Sequence, residues 1–119
     1  MCGINGLLHY SSNLKPVNID EVCKVRDSMT LRGPDSFGYW SNRSKKVAFG
    51  HRRLAIVDLS EAGHQPMVNA DANLSIVFNG EIYNHNELRD DLISEGFVFQ
   101  STSDTEVIMA LYQAYGLKM

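Results

Sequence analysis

Charge of one sign is the first thing this sequence lacks. Eleven Lys and Arg stand against 14 Asp and Glu, the net charge is −3, and no basic run is longer than Arg52-Arg53 or Lys45-Lys46. Nucleic-acid surfaces need clustered cations, so this composition argues against such a partner. No apolar run approaches the roughly 20 residues that span a bilayer, and the N-terminus has no basic region followed by an apolar one, so no membrane or export role is expected. Two cysteines, Cys2 and Cys23, are too few for a disulfide framework, and they read as free thiols in a reducing cytoplasm. The four histidines, His9, His51, His64 and His85, show no spacing that gathers two on one face with a cysteine or carboxylate, so no metal site is expected. The chain also lacks internal repeats, low-complexity tracts, Gly-x-x-x-x-Gly-Lys and Gly-x-Gly-x-x-Gly.

What is present is ordinary globular composition: 119 residues, 44% hydrophobic and 21% charged, enough for one domain with a modest core. The stretch that organises the rest is Met1-Cys2-Gly3-Ile4. Removal of Met1 leaves a thiol and an α-amine on one residue, a nucleophile and a base in one place. The same cysteine also reads as a small packed hydrophobe, and the dipeptide alone does not choose between them.

Gly3 to Tyr10 reads as a strand, and the polar stretch from Ser11 to Pro16 as a loop. Asn18 to Leu31 reads as a helix capped by Asn18, with Ile19, Val22, Val25 and Met29 as its apolar stripe and Cys23 packed beside it. Arg32-Gly33-Pro34-Asp35-Ser36 breaks it. Phe37–Ser41 and Val47–His51 form an expected hairpin, and Leu54 to Val57 a buried strand entered through Arg52-Arg53. Arginine there is either solvated or a fork for a carboxylate. Leu59 to Pro66 is a loop long enough to overhang a site. Leu74 to Phe78 reads as a strand ending in Asn79-Gly80-Glu81, which is either a tight turn or a pair of donors for a developing oxyanion, with a carboxylate beside them. A helix from Asn84 or Asn86, with Leu88, Leu92 and Ile93 inward, ends at Gly96; Phe97-Val98-Phe99 reads as a strand. A last helix opens at Ser103-Asp104-Thr105-Glu106, a capping-box spacing, with Val107, Ile108, Leu111, Tyr112 and Tyr115 on one face. Asp104 either favours that N-terminus or reaches a ligand ammonium.

The order Cys-Gly-Ile, RGPDS, HRRLAIVD, FNGEIYNH, SDTEVI resembles the glutamine amidotransferase domain of glutamine-hydrolysing asparagine synthetases, over essentially the whole chain. Related amidotransferases that make phosphoribosylamine or glucosamine phosphate also start with the cysteine, but the proline of Arg32-Gly33-Pro34-Asp35 and the NGEIYN run resemble the asparagine synthetase branch. The resemblance implies an α+β fold of the N-terminal-nucleophile hydrolases, a four-layer αββα sandwich with mostly antiparallel sheets, here incomplete. It implies that Cys2 attacks the side-chain amide of glutamine and that Asn79 and Gly80 form the oxyanion hole. By the same resemblance Arg53 holds the substrate carboxylate, Leu54, Ala55, Ile56 and Val57 give backbone contacts, and Glu81 and Asp104 hold the ammonium. Arg32 and Asp35 support the nucleophile without a catalytic step. No cofactor is implied for this domain. ATP and Mg are implied for an ammonia-accepting synthetase domain that is missing from this chain, in a parent for which a homodimer is open. Acceptors other than aspartate, in polysaccharide or secondary-metabolite synthesis, and an inactive fragment remain the alternatives.

Overall fold

Alternation along β1 (Gly3–Leu8) puts Asn5 and Leu7 on one face and Ile4 and Leu8 on the other. In this computed structural model, which describes every residue except Ser12 and Leu14, β1 pairs antiparallel with β3 (Val47–Arg53). β3 in turn pairs antiparallel with β2 (Ser36–Ser41), giving the order β1-β3-β2. Part of the loop expected between Ser11 and Pro16 lies outside the described residues. The β2–β3 hairpin forms as the pattern predicts, closed by Asn42, whose Oδ1 accepts the Lys46 and Val47 amides at 2.8 and 3.1 Å.

The expected strand at Leu54–Val57 does not form. Both neighbours of β3 begin at its last rungs, Gly3 opposite Arg52 and Ser36 opposite Arg53, so no ladder partner exists beyond them. The next two amides turn to side chains instead: Leu54 N–H meets Cys2 Sγ at 3.3 Å and Ala55 N–H donates to Asp35 Oδ2 at 2.8 Å. Ile56, expected buried, is 69% exposed.

The Asn5 face carries α1 (Ile19–Ser28), capped by Asn18 Oδ1 on the Asp20 amide at 3.0 Å. Val22 packs with Val17 and Ala48, with Leu7 and Ile19 against them. Val25 is half-exposed rather than inward; the sheet takes Arg26, four residues on from Val22. The Arg26 guanidinium bonds Asp27 at 2.9 Å and lies 4.6 Å from the Phe37 ring centroid. Cys23 is only partly buried.

The opposite face presents Gly38 and His51, paired across the strands. Residues 64–66 lie directly on Gly38. From this segment the chain enters a two-stranded antiparallel sheet, β4 (Met67–Val68) and β5 (Ser75–Ile76). The strand expected over Leu74–Phe78 is shortened to β5, because the Phe78 amide donates to Gln65 Oε1 at 2.6 Å. Beyond it lie α2 (His85–Ser94) and α3 (Asp104–Tyr115), joined by a second cluster of Leu92, Val107 and Ala110. Phe97 and Phe99 insert into this cluster and Val98 is 88% exposed, so the alternation of a strand survives, but no described strand lies alongside to make a ladder. Ile93, Tyr112 and Tyr115 face outward instead of inward; Met109 and Ala110 take the buried side, and Tyr115 donates to Glu95 at 2.5 Å. α1 on one face of the first sheet, residues 64–66 on the other, the two-stranded sheet and the α2–α3 pair make an α+β architecture with antiparallel sheets.

Candidate active site

The end of β3 and the start of β1 lie side by side, which brings Cys2 against residues 53–54. Cys2 Sγ sits 3.3 Å from Leu54 N and 3.6 Å from Leu54 O, and Arg32 Nε donates to the Cys2 carbonyl at 3.3 Å. Arg32 and Asp35 therefore fix the two strands of chain that flank the sulfur, from one loop.

A cavity of about 330 Å³ opens beside this sulfur. Its wall includes Cys2, Arg53, Leu54, Ile56 and Val57 from one side and Asn79, Gly80, Glu81 and Asp104 from the other. Of the ten residues expected to attack, stabilise the oxyanion or bind the substrate, Ala55 alone lies outside the lining, its amide committed to Asp35. The volume suits an amino-acid-sized ligand.

Arg53 is 8% exposed, and its placement is built by the loop that follows it. Nη1 donates to the Ser60 carbonyl at 2.8 Å and Nη2 to the Asp58 carbonyl. Gly63 makes room: a Cβ there would collide with Nη2 and approach Cζ to 3.0 Å. Two of the five guanidinium N–H groups are spent on the loop.

Asp58, which the sequence did not single out, anchors that loop. Its Oδ1 accepts from the Ser60 amide and hydroxyl at 2.8 and 2.6 Å, and its Oδ2 accepts the Thr102 amide at 2.8 Å. The Ser60 hydroxyl, then the backbone donors of Ser60 and Thr102, hold this carboxyl down at about 2. Ser103 caps α3 by accepting the Thr105 amide at 3.1 Å. Glu106, expected to close a capping box, reaches instead to the Gln100 and Ser101 amides at 2.9 and 2.8 Å.

The Asn79-Gly80 corner is held at both ends. Phe78 N–H donates to Gln65 Oε1, and Ile82 N–H to Asp104 Oδ2 at 3.1 Å. Gly80 packs under the Phe78 ring, where a Cβ would come within 2.6 Å of ring carbon. Gln65, Gly63, Phe78 and Thr105 also line the cavity and were missed, because a glutamine before a proline in a loop carries no chemical signature. His51, behind Arg53, is fully buried; burial, opposed by an interaction with the Phe78 backbone and helped by the nearby His64 and Arg53, pushes its imidazole down to about 4, so it is neutral at pH 7.

An α+β domain with antiparallel sheets, whose second residue is a cysteine facing a cavity lined by an arginine and two carboxylates, has an architecture compatible with the N-terminal-nucleophile hydrolase class. The profile of the family described as "Glutamine amidotransferase domain" matches residues 1–119, and the chain belongs to that family. It is 42% identical over 116 residues, 97% of its length, to asparagine synthetase [glutamine-hydrolyzing] 1 of Bacillus subtilis (strain 168), covering 18% of that protein. It is 39% identical over 132 residues to the putative asparagine synthetase [glutamine-hydrolyzing] 2 of Methanocaldococcus jannaschii, covering 98% of this chain and 24% of that protein. To the amidase chyE of Penicillium rubens it is 40% identical over 126 residues, 98% of this chain and 18% of that one. The chain thus spans less than a quarter of the length of these relatives.

Proposed function

We propose that this chain hydrolyses glutamine and, within a longer protein, hands the ammonia to an ATP-activated carboxylate, most simply that of aspartate. The observation that carries the reading is that Cys2 shares one cavity with Arg53, the Asn79-Gly80 corner, Glu81 and Asp104. A zwitterionic amide has a partner there for each of its charges, Arg53 for the carboxylate, Glu81 and Asp104 for the ammonium.

With Met1 removed, the Cys2 amine takes the thiol proton and the sulfur attacks the side-chain carbonyl of glutamine. The tetrahedral oxyanion accepts from the Asn79 amide and Gly80 N–H. The ammonium then returns its proton to the leaving nitrogen, ammonia departs, and water hydrolyses the thioester to glutamate. Each oxyanion donor is worth roughly 3 to 4 kcal/mol of barrier.

On this reading ATP and Mg serve the synthetase domain, and no step here runs through them. The synthetase partner and a cytoplasmic location belong to the same reading.

The test is Cys2→Ala in the full-length protein. Glutamine-dependent amidation should vanish while ammonia-dependent amidation persists, and undiminished glutamine use would sink the reading. The identity to an amidase, as high as to a synthetase, favours a second reading in which the glutaminase serves a different acceptor. Ammonia-dependent assays against aspartate and other carboxylates separate the two.

A further inference from the structure

We propose that the side-chain amide of Gln65 is a positioning residue for the oxyanion corner, holding Asn79 and Gly80 at the depth in the cavity where they meet the reacting oxygen. The inference rests on the glutaminase reading above.

Gln65 is 7% exposed, and both ends of its amide are used. Oε1 accepts the Phe78 amide at 2.6 Å, the residue immediately before Asn79. Nε2 donates to Thr105 Oγ1 at 3.1 Å, in the first turn of α3 and beside Asp104. Asp104 in turn accepts the Ile82 amide. The corner is therefore spanned by two side-chain acceptors, at Phe78 and at Ile82, and Gln65 links the first to the helix that supplies the second.

This arrangement replaces a sheet. β5 stops at Ile76, so no strand-to-strand bond fixes Phe78. A buried side chain takes that role, and its own backbone is seated on the first sheet, where the Gln65 carbonyl lies against Gly38. Cys2 and Arg53 hang from that same sheet. His51 of β3 also reaches the Phe78 backbone, and Gln65, bonded both to Phe78 and to α3, together with it sets the distance between the half of the cavity that holds the nucleophile and the half that holds the oxyanion donors. A misplacement of about 1 Å at such donors costs rate more than binding, because their bonds strengthen only in the transition state.

The variants are Gln65→Met, which keeps the length and loses both bonds, and Gln65→Glu, which keeps an acceptor for Phe78 and can accept the Thr105 hydroxyl proton. Glutaminase kinetics of the full-length protein are normalised to sites labelled at Cys2 by a glutamine-derived chloroketone, so that unfolded protein is not counted. Gln65→Met should lower kcat per labelled site by about 10- to 100-fold, less than deletion of a donor outright, with KM within about twofold. Gln65→Glu should recover most of that loss. If Gln65→Met does not fold, Thr105→Val, which frees the outer end of the amide, should lower kcat by about threefold or more. A wild-type kcat per labelled site in Gln65→Met or Thr105→Val overturns the proposal, as does an equal loss in Met and Glu variants while Cys2→Ala is inactive. Glutamine hydrolysis that survives Cys2→Ala fails the underlying reading instead, and the proposal with it.

Discussion

Arg53 and Gly63 show how a single side chain is aimed. Arginine at the end of a strand is ordinarily solvated, yet here two backbone carbonyls hold the guanidinium and a missing Cβ leaves space for it. In Gly63→Ala the flexible end of Arg53 yields sooner than the backbone, so the cost falls on binding. We expect KM for glutamine to rise by about tenfold or more, with the melting temperature changed by only a few degrees; steady-state kinetics beside thermal unfolding check both. His51 makes a second residue-scale expectation. Its folded value of about 4 lies below its ordinary 6.5, so the unfolded chain takes up the proton first as the pH falls. Its contribution is complete above about pH 6.5 and is lost progressively toward pH 4, roughly 3 kcal/mol in all. Urea midpoints measured across that range should fall for the native protein and stay flatter for His51→Leu. Neither role was legible from the sequence, where Gly63 lies within the Leu59–Pro66 loop and His51 reads as one of four scattered histidines.

Secondary-structure elements here end where side chains outcompete the ladder. β3 stops at Arg53 because Cys2 and Asp35 take the next two amides, and β5 stops short of Phe78 because Gln65 takes that one. The periodicity of Leu54–Val57 is strand-like, but a strand needs a neighbour, and pairing partners are not written in a local pattern. α1 and α3 were readable because their N-caps, Asn18 and Ser103, act within two residues. Asp58 works at this scale too, tying the loop after β3 to the start of α3. Asp58→Asn presents an amide donor to one of the three donors around it and should cost about 1 to 3 kcal/mol by chemical denaturation. With its folded value near 2 against an ordinary 3.8, the carboxylate stabilises fully above about pH 4 and loses that contribution as the pH falls through 2. The variant should be less pH-sensitive in that range.

At the scale of the molecule, the described residues form two small cores, one around Val22 and Ala48 and one around Leu92 and Val107, with no buried residue in common. Polar bonds tie the loop after the first sheet to the α3 side: Gln65 to Thr105 and Asp58 to Thr102. The radius of gyration of 15.0 Å and extents of 44 × 34 × 20 Å describe a flattened body rather than a sphere. Substitutions in separate cores should therefore add. Leu92→Ala should cost about 2 to 5 kcal/mol, Val22→Ala about 1.5 to 3, and the double variant their sum within about 0.5. A larger discrepancy in urea unfolding would mean that the two cores share packing.

The sequence by itself determined the chemistry on offer: a cysteine next to the start, an arginine pair entering an apolar run, an Asn-Gly corner followed by a carboxylate, and an acid at a helix N-terminus. It also determined the helices and the β2–β3 hairpin, because caps and turns act over a few residues. Only the tertiary structure decided that these groups face one cavity, since their meeting depends on which strands end on the same rung. It also decided that residues 54–57 leave the sheet, and that Gln65 and Asp58, unremarkable in a loop, bind its two halves together. Those are pairings between residues 13 to 44 positions apart, and no local periodicity encodes them.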